Sequence, residues 1–167
     1  PILKDNLSYY IDKYQIWSRY ESEDEGVFVA CASIHGNTKD VALKVVEMLK
    51  AKGIKVAFAD LTRDDMAEAI EDAFRYSKMI LAAATYDGGI FSPMEDFLHR
   101  LQHKGYQNKT VGLIENGSWA PLANKVMKDL LESMKNINIC QNTVTIKSTY
   151  KNENLEAINQ LLDEINE

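Results

Sequence analysis

Short apolar runs alternate with helical patterns five times between Gly26 and Glu167, and this alternation constrains the fold more than any other feature. The runs are Val27–Ala32, Ile54–Ala59, Met79–Ala84, Thr110–Ile114 and Asn142–Lys147, each of strand length. Between them the apolar spacing lengthens to three and four residues, as a helix requires. Val41, Ala42, Val45 and Leu49 align on a helix over Lys39–Lys52, stopped by Gly53. Thr62 is the expected cap of a second helix, with Asp65 three residues on and Met66, Ala69, Ile70, Ala73 and Phe74 as its inner face. Ser92-Pro93-Met94-Glu95 starts a third, with Ser92 as cap and Pro93 in the first position, running towards Lys104 and stopped by Gly105. Leu122, Val126, Leu130 and Met134 place a fourth over Trp119–Lys135. Leu155, Ile158, Leu162 and Ile165 place a fifth over Asn152–Ile165.

Strands this apolar are buried on both faces, and strands separated by helices run parallel. The expected class is α/β, a three-layer α/β/α arrangement around a five-stranded parallel sheet. Right-handed crossovers favour the order 2-1-3-4-5. A ligand then binds outside the carboxyl ends of the strands, beside strand 1. The loops that converge there are Ser33–Thr38, Thr85–Ser92 and Glu115–Ala120, all rich in glycine, hydroxyls and amides. The loop after strand 2, Asp60-Leu61-Thr62-Arg63, is plain by comparison.

The first of these loops runs straight from a buried strand into a helix. The first N–H groups of a helix have no partner within it, and the macrodipole adds partial positive charge there. Ser33, Asn37 and Thr38 can hydrogen-bond an anion, and Gly36 lets the backbone approach closely. Two readings of this stretch stay open: an anion site, or a helix merely capped by Asn37 or Thr38. On the other two loops, Tyr86 and Trp119 could sandwich or edge a planar ring, and Asp87-Gly88-Gly89 could turn either a carbonyl or an N–H towards it.

Charge narrows the partners. Lys and Arg number 19 against 25 Asp and Glu, a net charge of −6, which disfavours nucleic acid. The acidic balance suits docking on basic patches of other proteins. Cys31 and Cys140, each in or beside a strand, read as packing residues of a reducing compartment, with the cytoplasm as the expected location. No run reaches the length of a membrane span. The chain opens on Pro1, which favours a fragment of something longer. Leu7, Tyr10, Ile11, Tyr14 and Trp17 recur at helical spacing within residues 6–20, a composition that suits an interface. If that helix stays exposed, a homodimer is the expected result. The acidic run Glu21–Glu25 reads as a solvated linker, giving residues 1–25 as linker and 26–167 as the globular domain.

The stretch Ser33-Ile34-His35-Gly36-Asn37-Thr38 resembles the T-x-T-G-x-T phosphate loop of flavodoxins, which bind flavin mononucleotide (FMN). Ser33 stands for the first Thr, Gly36 and Thr38 fit, and His35 replaces a hydroxyl residue with an imidazole that can still donate an N–H. The resemblance implies the flavodoxin-like fold and FMN as cofactor, its phosphate held by Ser33, Ile34, His35, Gly36, Asn37 and Thr38. It further implies Thr85, Tyr86, Asp87, Gly88 and Gly89 along the isoalloxazine, with Asn116, Gly117, Ser118 and Trp119 closing the other side. The stretch from Leu7-Ser8-Tyr9-Tyr10 to Ile16-Trp17-Ser18-Arg19-Tyr20 resembles the junction in flavodiiron proteins between a metallo-β-lactamase-like diiron domain and a flavodoxin domain. The Thr85–Pro93 and Asn116–Pro121 loops resemble the same family. That likeness implies electrons received from a redox protein such as rubredoxin or a flavin reductase. It implies delivery to the diiron domain of the same parent chain, which reduces dioxygen or nitric oxide. No H-x-E-x-D-H-type cluster is present, so the chain would be the electron-delivery part alone.

Competing chemistries find less support. Asp96, His99 and His103 share a helix face but no further ligand converges on them, so a solvated face is expected. Neither G-x-x-x-x-G-K-[ST] nor G-x-G-x-x-G occurs, and the acidic cluster of a receiver domain is missing from Cys31-Ala32-Ser33 and Ala83-Ala84-Thr85. A stand-alone flavodoxin, an NAD(P)H-dependent FMN or quinone reductase, and a non-redox interaction domain remain as alternatives.

Overall fold

A computed structural model describes residues 4–167; Pro1, on which the expectation of a fragment rests, lies outside the described residues. The elements in order are α1 (Leu7–Ser18), β1 (Asp24–Ala32), α2 (Asn37–Ala51), β2 (Val56–Asp60), α3 (Met66–Arg75), β3 (Tyr76–Tyr86), β4 (Gly89–Ile90), α4 (Ser92–His103), β5 (Gln107–Asn116), α5 (Ala123–Glu132), β6 (Lys135–Ile139), β7 (Val144–Ile146) and α6 (Asn154–Asn166).

Every side chain from Val27 to Ala32 is buried, and this two-faced apolarity puts β1 inside the sheet. Phe28, Ala30 and Ala32 face a cluster completed by α3, α4 and α5, including Phe97, Leu98, Leu101 and Met127. Val27, Val29 and Cys31 face the opposite cluster, where α2 contributes Val41, Val45 and Leu49 and α6 contributes Ile158, Leu161 and Leu162. The three layers follow from this two-residue alternation. The strand order is β2-β1-β3-β5-β6, with parallel pairing throughout that path, as the expected 2-1-3-4-5 requires. The carboxyl ends of β1, β3 and β5 therefore lie side by side.

Four local expectations change. The fifth strand position is shared by two segments, since β6 pairs with Gln107–Val111 and β7 with Ile114–Asn116 of the same strand. The helix expected to reach Lys135 stops at Glu132, because Ile137 and Ile139 alternate with polar residues and suit a half-covered edge strand. Asp65, not Thr62, caps α3 by accepting from the N–H groups of Ala67 (2.7 Å) and Glu68 (3.3 Å). The Thr62 hydroxyl is drawn instead to the buried Asp60, to which it donates at 2.5 Å. Helix α4 begins at Ser92 itself, after Phe91, and takes no side-chain cap.

The acidic run is not a free linker. Asp24 and Glu25 already belong to β1, and the Glu23 carboxylate accepts from Lys13 Nζ and Trp17 Nε1, both at 2.6 Å. Helix α1 has no buried residue; Tyr14 is 70% and Trp17 53% exposed. Among the described residues no helix is long and apolar enough to cross a membrane. Both cysteines are free and buried, and burial pushes the Cys31 thiol up to about 12 and that of Cys140 to about 11. Neither thiol is a nucleophile at neutral pH.

Candidate cofactor site

The site starts where β1 ends. Ser33 Oγ accepts from the Gly36 N–H at 3.0 Å and closes a tight turn, which Gly36 completes with φ +94°. Gly36 is the cap residue of α2 and has no side chain to offer, so the helix receives no side-chain cap. Its first internal bond is from Asp40 N–H to Gly36 O at 2.9 Å. The N–H groups of Asn37, Thr38 and Lys39 therefore find no acceptor among the described residues. The reading of Asn37 or Thr38 as a plain cap does not hold in this geometry.

Two neighbouring helices show what a closed N-terminus looks like. Asp65 closes α3, as above. At α5 the closure comes from distant side chains. Thr85 Oγ1 accepts from Leu122 N–H (2.9 Å) and Ala123 N–H (3.1 Å), and Glu115 Oε2 accepts from Asn124 N–H (2.9 Å). Glu115 is itself buried and also accepts from the Thr145 hydroxyl at 2.8 Å. Against these, the N-terminus of α2 stands out as uncapped, and such an end carries N–H groups and partial positive charge of the kind that suits an anion.

Two of the three donor residues of α2, Asn37 and Thr38, border a cavity of about 260 Å³. It is lined by Ser33, Ile34, His35, Asn37 and Thr38 of the first loop, Thr85 of the second, and Asn116, Gly117 and Ser118 of the third. Three loops far apart in sequence thus share one hollow. Gly36 lies on its flank, facing a second hollow with Lys39 and Asp60. Burial alone would raise the Asp60 carboxyl, but hydrogen bonds from Thr62 and Lys39 outweigh it and hold Asp60 below the usual carboxylate range.

The remaining expected residues sit elsewhere. Tyr86, Asp87, Gly88 and Gly89 line a separate hollow with Ser92 and Glu95. Asp87 (φ +48°) and Gly88 (φ +71°) form the two-residue turn between β3 and β4, so their sequence signal has a hairpin reason of its own. Tyr86 packs edge-on against Phe91 with ring centroids 5.9 Å apart. Trp119 lines neither hollow and is 91% exposed. Two lining residues also carry structural duties. The Thr85 hydroxyl is the acceptor for α5, and the Asn116 amide grips Ser148, donating to its carbonyl at 2.8 Å and accepting from its N–H at 3.1 Å. Gly117 must be small, since a Cβ there would lie 3.0 Å from Pro121 Cα and 3.1 Å from Thr85 Oγ1.

Ser148 and Glu115 are the residues sequence reasoning missed. Ser148 lines the cavity from the loop after β7, and its signal was the hydroxyl pair Ser148-Thr149 behind the last strand on the same sheet edge. Glu115 gave no signal beyond its place in the third loop.

Strand order and layers define the class: this is the flavodoxin-like fold. Solved structures similar to it include rubredoxin oxygen:oxidoreductase from the anaerobe Desulfovibrio gigas, at 17% identity and TM-score 0.86 over 96% of this chain and 40% of that one. The flavodiiron protein from Giardia intestinalis matches at 19% identity and TM-score 0.84, over 98% of this chain and 41% of that one. A Streptococcus pneumoniae TIGR4 flavodoxin matches at 22% identity and TM-score 0.66, over 86% of this chain and 98% of its own. This chain spans about two fifths of the length of the flavodiiron-type neighbours. The sequence matches no protein-family model and no curated protein.

Proposed function

We propose that the chain is an FMN-binding electron-transfer module of the kind that flavodiiron oxidoreductases carry. The observation that supports it most is the uncapped N-terminus of α2 opening into a cavity whose walls come from all three expected loops. The N–H groups of Asn37 and Thr38, with the Thr38 hydroxyl, would hold the phosphate, and His35 would add an imidazole donor. The cavity is smaller than those that bury a whole drug-sized ligand. The ring would therefore lie at its mouth, where Tyr86 and Trp119 are the exposed aromatic groups and Ser118 and the turn at Gly88 supply backbone contacts. FMN, when bound, supplies one- and two-electron chemistry; this chain holds and orients it and sets its electrostatic surroundings.

In this reading a rubredoxin-like protein or a flavin reductase donates electrons, and a diiron domain of the same parent chain accepts them. That domain would cover the exposed rings of α1, and without it two copies of this chain would pair through the same face, read as a mass that rises with concentration. The unpaired buried thiols suit a reducing cytoplasm. Titration with FMN, followed by absorbance and flavin fluorescence, is expected to saturate at one FMN per chain. The loaded protein is expected to be reduced through a protein donor and not by NADH or NADPH alone. Absence of saturable binding overturns the proposal.

A further inference from the structure

The buried side chain that the candidate site leaves unused is Lys109, on β5 near the amino-terminal end of the sheet, opposite the cavity. It is 3% exposed, and its ammonium donates to three neutral oxygens: Ser22 Oγ at 2.6 Å, Phe74 O at 2.9 Å and Tyr76 O at 2.8 Å. All three protons are used, which is what a buried ammonium requires. Phe74 lies in the last turn of α3, whose carbonyls lack helical partners and carry partial negative charge. The next linker residue binds the same helix end, since Glu23 N–H donates to Arg75 O at 2.9 Å. Glu23 in turn holds α1 through Lys13 and Trp17. Tyr20 packs over Gly105, where an added Cβ would lie 3.2 Å from its hydroxyl.

A continuous path thus runs from a buried cation in the sheet, through Ser22 and Glu23, to a helix that buries nothing of its own. We propose that Lys109 is a positioning residue that locks the segment before β1 to the domain, so that α1 leaves in one fixed direction and does not swing as a tether. The lock is independent of the cofactor reading, because it sits at the opposite pole from the cavity.

The test is backbone 15N relaxation on the chain, in the wild type and in Lys109→Met and Ser22→Ala. Wild-type amides of Leu7–Ser18 are expected to show order parameters of about 0.85, like those of the sheet. Lys109→Met is expected to drop them below about 0.6, with β1 and β3 unchanged. Ser22→Ala leaves Lys109 both carbonyls and so keeps the fold, and it is expected to lower the same amides in the same direction. FMN affinity is expected to stay within about twofold of wild type in both. Order parameters of α1 already low in the wild type, or unchanged in Ser22→Ala, overturn the lock.

Discussion

At Thr38 the side chain is almost wholly buried, yet its hydroxyl makes no hydrogen bond within the described residues and borders the cavity. Thr85, of the same residue type and on the same cavity, spends its hydroxyl on two N–H groups of α5. The difference sets a prediction. Thr38→Val keeps the shape and is expected to weaken FMN about tenfold, roughly 1.4 kcal/mol, with the denaturation midpoint unchanged; equal FMN affinity in titration would contradict the role. A hydroxyl can cap or bind, and residue identity does not say which; only the position of α5 does. For that reason the place of Ser33 and Thr38 on a loop at the sheet edge was legible in the sequence, while the structural duties of Thr85 and Asn116 were not. Lys109 carries a second prediction. Its burial pushes the ammonium down to about 8, so the folded protein releases this proton before the unfolded chain does. Between that value and the ordinary 10.5 the unfolded state holds more protons, and stability rises with pH. Chemical denaturation from about pH 7.5 to about pH 10 is expected to show this rise in the wild type and a smaller one in Lys109→Met; parallel pH profiles would contradict it.

Among the elements, the alternation of runs and amphipathic patterns was enough to give layers, order and the converging loops, because burial on both faces admits few arrangements. What it did not give was the break at Cys140–Thr143. Met134 continues the helical phase of α5, while Ile137 and Ile139 begin a strand phase, and the two periods overlap within six residues. Nor could residue type alone tell a ligand loop from a hairpin at Asp87-Gly88, because a turn with both residues at positive φ selects the same residues. At this scale the closure of α5 is the joint that holds the third loop against the second. Thr85→Val removes the acceptor for Leu122 and Ala123 and is expected to cost about 1–2 kcal/mol in urea unfolding. It is also expected to weaken FMN by loosening Gly117–Pro121. Unchanged stability would show that water or Glu115 replaces the hydroxyl at no loss.

Across the whole molecule the two poles have different tasks. The amino-terminal pole gathers Lys109, Ser22, Glu23 and the end of α3, and fixes an exposed aromatic helix. The carboxyl pole leaves one helix end open and surrounds it with loops, on a protein whose net charge of −6 would otherwise repel an anion. If the proposed function holds, the local donors outweigh the global field and the phosphate anchors the cofactor. Titration of the chain with FMN and, in parallel, with riboflavin, the same ring without the phosphate, tests this most directly. FMN is expected to bind at least a hundredfold tighter, about 2.7 kcal/mol. Equal affinity for the two, or saturable binding of neither, would contradict the account.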